Sequence, residues 1–293
     1  MNILITGGSG LLASRLAEKM SHQHQITLVS RKKIRPLDDI KVQYIKSYSD
    51  IELNNQDIVI HAASPNSNDC RESSIVEEYL SHTKKIMSEA SNQKIKKVIF
   101  TSSTRVYGNI AGNIDEENHC KGIDNYSKMK IRIENLLLSK EHHFMPIIVR
   151  ISNSFGYPIF KDSNCWHLLA MYISMKAVTC NQIRLNSNGR EYKDFVPMNY
   201  VVDNIHDILI NNNEYNILNI SSGTTTTVGK FALLLIKYAE KYFRKKIRLN
   251  FKESNENYDR YSILNNKLNI KFTNNYFDNE MISLLSYCKN HYQ

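Results

Sequence analysis

Tyr126 and Lys130 stand four residues apart in the run Tyr126-Ser127-Lys128-Met129-Lys130. On a helix that spacing puts both side chains on one face. A phenol with a pKa near ~10 exchanges protons at neutral pH only when its ionised form is stabilised, and a nearby ammonium does this. Upstream, Phe100-Thr101-Ser102-Ser103-Thr104-Arg105-Val106-Tyr107-Gly108 ends an apolar run in hydroxyls. Ser103 could hydrogen-bond the oxygen on which charge develops. The chemistry such a set can do is proton transfer at a carbonyl or alcohol oxygen. Alone, the Tyr/Lys spacing says little in a chain with 17 tyrosines.

What gives it weight is the start of the chain. Ile3-Leu4-Ile5 runs into Gly7-Gly8-Ser9-Gly10-Leu11-Leu12-Ala13, a G-x-x-G-x-x-A turn between a strand and a helix. The first glycine permits the tight turn and the second lets a pyrophosphate approach the backbone. Ala13 is small enough for the helix to lie on the strand. The helix N-terminus offers N–H groups and positive dipole to phosphate. Gly7, Ser9, Gly10 and Leu11 are therefore the expected phosphate-turn contacts. At the end of the next strand an NAD site wants an acid for the ribose 2′-hydroxyl. This chain has Ser30-Arg31-Lys32-Lys33. Ser30 and Arg31 suit a 2′-phosphate, which predicts NADP(H).

The elements that must position these groups alternate. Strands are predicted at 3–5, 26–29, 42–45, 58–60, 97–100 and 146–149, with helices at 11–20, 74–92 and 125–140. Short, nearly all-apolar strands alternating with helices predict a Rossmann-type, doubly wound parallel sheet of the α/β class. Further on, helices are predicted at 164–178, 201–210, 228–243 and 279–289, and strands at 183–185 and 216–220. These form a smaller C-terminal α/β substrate-binding subdomain. The expected division is 1–152 for the cofactor, joined by segments near 194–222, and 153–293 mainly for substrate.

Composition narrows the classes. The 293 residues carry 38 Lys plus Arg against 29 Asp plus Glu, a formal charge of +9. The basic excess suggests an anionic partner, and a small phosphorylated molecule suits it as well as nucleic acid does. A solvated basic surface is the alternative for most of these lysines, and their dispersal without interleaved aromatics leads to the expectation of no nucleic acid. No apolar run reaches the ~18 residues that span a bilayer, and the start lacks a signal-peptide pattern. Five cysteines without CxxC spacing fit a reducing cytoplasm and predict no metal site.

The ordered motifs resemble those of the extended short-chain dehydrogenase/reductases, in the nucleotide-sugar epimerase, dehydratase and 4-ketoreductase group. The matching segments are Thr6 to Gly10, Val59-Ile60-His61-Ala62-Ala63, Thr101 to Gly108, Tyr126 to Lys130 with Glu134, and Arg150 to Gly156. Gly189 to Pro197 and Asn219 to Gly223 also match. The resemblance implies Ser103, Tyr126 and Lys130 as the catalytic set and Ala62 and Ala63 beside the cofactor. It implies Ser103, Asn153 and Lys193 as substrate contacts, Lys193 standing where the family often has an Arg. It also implies a homodimer through the helices at 74–92 and 125–140. His61 reads as structural. Trp166 reads as pocket lining or core.

Dehydratases of this group carry acids after the catalytic hydroxyl, whereas this chain has Thr104 and Arg105. Epimerases usually retain NAD. The basic end of the second strand therefore favours an NADPH-dependent reductase of a nucleotide-linked 4-keto (4-keto-6-deoxy) sugar, serving surface polysaccharide. The alternatives are a nucleotide-sugar 4-epimerase with retained NAD(P) and a non-catalytic NADP-binding regulator.

Overall fold

Ile3, Leu4 and Ile5 have no solvent exposure, and their alternation shows why the sheet is covered on both sides. Ile3 and Ile5 pack into one apolar cluster, Leu4 into another across the sheet. A strand buried on both faces needs no polar alternation, hence the unbroken apolar run.

The computed structural model describes residues 1–35, 37–109, 111–139, 142–211, 215–253, 256 and 258–293. Its elements in chain order are β1 (Asn2–Thr6), α1 (Leu11–Ser21), β2 (Gln25–Ser30), β3 (Ile40–Tyr44), β4 (Ile58–His61), α2 (Ser73–Asn92), β5 (Lys97–Ser103), β6 (Gly112–Ile114), α3 (Asn125–Leu138) and β7 (Met145–Ile151). Then come β8 (Asn153–Phe155), α4 (Leu169–Thr179), β9 (Gln182–Leu185), β10 (Tyr192–Lys193), β11 (Phe195–Pro197), α5 (Met198–Ile210) and β12 (Ile217–Ile220). The chain closes with β13 (Thr226–Thr227), α6 (Val228–Phe243), β14 (Arg248–Phe251), β15 (Tyr261–Ile263) and α7 (Asn274–Tyr292).

Seven strands form one sheet in the order β12-β7-β5-β4-β1-β2-β3, and every pairing is parallel. The order reverses between β1 and β4. In open α/β sheets that switch point is where ligands bind, outside the carboxyl ends of the strands. Helices α2 and α3 share one apolar cluster with the sheet; α1, α4, α5, α6 and α7 contribute to the other. The doubly wound α/β architecture is as expected.

Several boundaries differ. The helix expected at 164–178 begins only at Leu169. Residues before it are held in turns: the Ser163 hydroxyl donates to the Ser9 carbonyl at 2.8 Å, and Trp166 Nε1 to the Lys161 carbonyl at 2.9 Å. The strands β6, β8, β10, β13, β14 and β15 were not anticipated. Each pairs with a segment distant in sequence, such as β15 with β6 and β14 with β9. The segment 195–197 is itself a strand, β11, parallel to β8. All five cysteines are unpaired. Among the described residues, no helix is long and apolar enough to cross a membrane.

Candidate active site

The glycine turn at the end of β1 is built as a cradle. Gly7 has φ of +84°, and a Cβ there would lie 2.9 Å from the Ala63 backbone. The Gly10 N–H donates to the Gly7 carbonyl at 2.8 Å, closing the turn, and the Gly8 N–H to the Val29 carbonyl at 2.8 Å. Ala13 is 2 % exposed under the sheet. No side chain caps α1, so its first-turn N–H groups face the turn without a protein cap. Thr6 fastens the loop after β4: its hydroxyl accepts from the Ala63 N–H at 3.0 Å and bonds His61 Nδ1 at 2.8 Å. His61 is buried, and its other ring nitrogen meets Thr83 and Tyr79. Both of its ring nitrogens are thus engaged within the protein. This space, free of Cβ atoms and close to a helix N-terminus, fits a dinucleotide pyrophosphate. Gly7→Val should weaken dinucleotide binding at least about tenfold, from backbone strain of about 1–3 kcal/mol. Fluorescence titration checks this, with thermal unfolding to separate a global loss.

The end of β2 is basic, but its groups diverge. Ser30 is buried and its hydroxyl donates to the Lys32 carbonyl at 2.7 Å, closing a local turn. The Arg31 guanidinium lies 5.3 Å from the Tyr48 ring centre. Lys32, Lys33 and Arg35 instead line a groove of about 560 Å³ with Ser9, Lys161 and Tyr287. Arg35 and Lys161 escaped the sequence reading, because only folding brings residue 161 beside residue 35.

Ser103, Tyr126 and Lys130 converge at the carboxyl end of β5. Asp124 caps α3 by accepting from the Ser127 N–H at 2.8 Å, while the Ser127 hydroxyl accepts from the Asp124 N–H. That capping box holds the first helical turn, where Tyr126 sits. One turn on, Lys130 is 1 % exposed. Its Nζ donates to the Thr101 carbonyl at 2.8 Å and lies 5.6 Å from the Tyr126 ring centre. Burial pushes the Tyr126 phenol up to about 12; Arg105 and the Ser103 hydroxyl pull the other way. A cavity of about 480 Å³ opens beside it, lined by Ser67, Cys70, Arg71, Arg105, Asp124 and Tyr126 among others.

Burial brings the Lys130 ammonium down to about 7, opposed by the Glu134 carboxylate. The unfolded chain keeps that proton up to a pKa near ~10.4. Between the two values the unfolded state binds more protons, so this group makes stability rise with pH. The stability of the wild type relative to Lys130→Met should therefore rise from about pH 7 to about pH 10 in urea unfolding. A pH-independent difference would contradict the assignment.

Asn153 is exposed on β8 and its amide donates to the Asp194 carbonyl at 2.9 Å. Lys193 lies on β10, 3.1 Å from Glu191. The structure brings neither into the cavity beside Tyr126. Trp166 stacks on Tyr287 of α7 and meets Tyr292, packing rather than lining that cavity.

A family model described as the NAD dependent epimerase/dehydratase family matches residues 3–221. The chain belongs to that family. No curated protein matches it in sequence. Solved structures that resemble it include a UDP-N-acetylglucosamine 4-epimerase from Methanobrevibacter ruminantium, at 18 % identity and a TM-score of 0.83, covering 98 % of this chain and 97 % of that one. A UDP-glucose 4-epimerase from Thermotoga maritima is similar at 17 % identity and a TM-score of 0.83 over all of both chains. A UDP-glucuronic acid 4-epimerase from Bacillus cereus, in complex with UDP-glucuronic acid and NAD, matches at 17 % identity and 0.81, again over all of both. Their likeness establishes the fold of this family member along its whole length.

Proposed function

We propose that this family member is a nucleotide-sugar 4-epimerase that keeps its dinucleotide bound between turnovers. The observation that carries this reading is the convergence of Ser103, Tyr126 and Lys130, followed by Arg105 rather than a carboxylate. Family membership adds weight, and the missing acid disfavours dehydration. When bound, a nicotinamide dinucleotide would take and return the hydride of one sugar carbon. Tyr126 takes the proton of the hydroxyl on that carbon and later gives it back. Ser103 hydrogen-bonds the same oxygen. Lys130 supplies positive charge to the phenol. Residues 1–152, with the segments near 194–222, hold the dinucleotide; residues 153–293 mainly shape the substrate site, with Asn153 and Lys193 as candidate contacts. A homodimer through α2 and α3 belongs to this reading and is tested by light scattering.

Further contacts border the glycine turn and α1. The segment after β8 is tied across the glycine turn by Ser163 on the Ser9 carbonyl. Arg15 of α1 is buried against Glu280 of α7 at 2.8 Å and against the Tyr157 carbonyl at 3.1 Å.

A second reading is the NADPH-dependent 4-keto-sugar reductase. The basic groove of Lys32, Lys33, Arg35 and Lys161 favours it, since a 2′-phosphate fits that charge. One experiment separates the two. Purified protein is denatured to release and identify any bound dinucleotide. Fresh protein is then mixed with UDP-linked hexoses, or with nucleotide-linked 4-keto-6-deoxy sugars and NADPH. Bound dinucleotide and sugar interconversion without net NADPH loss are expected. Stoichiometric NADPH consumption would overturn the epimerase reading in favour of the reductase.

A further inference from the structure

Arg105 occupies the turn directly after the catalytic hydroxyl, and its contacts converge on Tyr126. Its backbone N–H donates to Ser103 Oγ at 3.3 Å. Its guanidinium donates to the Ser67 hydroxyl at 2.9 Å and pairs with Asp124, the α3 cap. The same guanidinium lies 5.2 Å from the Tyr126 ring centre. Three separate segments thus hold one cation beside the phenol: the loop after β4, the turn after β5 and the start of α3. Lys130 lies on the buried side of the site and Arg105 on the cavity side, 45 % exposed in its side chain.

We propose that Arg105 is a positioning residue, a second cation that stabilises the ionised form of Tyr126 from the cavity side, with Asp124 and Ser67 holding it in place. This deepens the proposed function and rests on Tyr126 being its acid/base. The physical need for a second cation lies in Lys130. Burial leaves the lysine ammonium titrating at about 7, so its charge fades as the solution becomes alkaline. A guanidinium keeps its charge throughout. The other groups facing Tyr126 work against ionisation or are neutral. Cys70 and Asp124 raise the phenol pKa, and Ser103 lowers it by hydrogen bonding. Tyr79 of α2 is a buried neutral phenol whose own pKa is pushed upward. Arg105 is therefore the cation that offsets Asp124, and the pair together fixes the guanidinium over the ring.

The proton passes between the substrate and Tyr126, while the hydride of the same carbon would pass to and from the bound dinucleotide of the proposed function. In the oxidative half-step the substrate O–H bond breaks, its proton passes to the phenolate oxygen, and the phenol O–H forms. The reductive half-step returns it. The Arg105 cation supports that phenolate where the Lys130 charge has faded.

Difference titration of the phenolate absorbance tests this on the full chain without any substrate. Subtracting the Tyr126→Phe curve from the wild type isolates Tyr126 among the tyrosines. In Arg105→Gln, corrected with its own Tyr126→Phe partner, ionisation should move up by about one pH unit or more. Arg105→Lys should restore most of the difference, because a point charge suffices for electrostatic support. Ser67→Ala should give a smaller move in the same direction by loosening the anchor. An unchanged Tyr126 midpoint in Arg105→Gln, with the fold intact by circular dichroism, would overturn the proposal. So would equal midpoints in Arg105→Lys and Arg105→Gln. If the titration behaves as expected while no sugar is epimerised, the function reading fails and the electrostatic one stands.

Discussion

Tyr126→Phe is expected to lower turnover by about 10³-fold while dinucleotide affinity stays within about twofold. The expected size follows from the role. The ring stays, so its packing against the apolar cluster on that side of the sheet is preserved, and only the exchangeable proton is lost. Burial holds the phenol neutral up to about 12 in the free protein, against the pull of Arg105 and Ser103. The group is thus a proton donor at rest and an acceptor only when its surroundings stabilise the anion. Steady-state rates with an interconverting sugar, beside fluorescence titration of the dinucleotide, measure both quantities. Activity within tenfold of wild type would remove Tyr126 from the chemistry. Loss of dinucleotide binding in parallel would recast it as a cofactor contact.

The second large effect is on stability. Arg150→Met should cost about 3–5 kcal/mol, because it strands a buried carboxylate. Arg150 and Glu134 are 5 % and 3 % exposed and meet at 2.7 Å. Glu134 also accepts from the Ser102 hydroxyl, and Arg150 donates to the Tyr107 hydroxyl at 3.0 Å. Burial opposes the Arg150 charge, but the Glu134 carboxylate more than compensates and raises its pKa. Glu134 lies one turn past Lys130 on α3, and Ser102 immediately precedes Ser103 on β5. The pair therefore sets the height of the helix against the strand, and with it the placement of Lys130 near Ser103. Urea unfolding of Arg150→Met measures the cost. The double variant Glu134→Leu with Arg150→Met should recover much of it, since paired apolar groups leave no orphaned charge. A double variant as unstable as the single one would mean that shape, not charge, dominates at this position.

The sequence already contained the parts of this site whose logic is local. A glycine at Gly7 and Gly10, a small residue at Ala13, hydroxyls at the end of β5 and a helical four-residue spacing from Tyr126 to Lys130 each state their own geometry. Backbone sterics and helix periodicity act over a few residues, so residue types alone reveal them. The alternation of apolar strands with amphipathic helices likewise announced the doubly wound sheet. Tertiary structure alone decided what meets across long sequence distances. It set Arg105 against Ser67 and Asp124 over the Tyr126 ring, and it placed Lys161 and Tyr287 in one groove with Lys32 and Arg35. It also turned Ser30 inward and aligned β15 with β6. Such meetings depend on loop closure and on how whole elements pack, and a charged side chain carries no local mark of the partner that folding will bring to it.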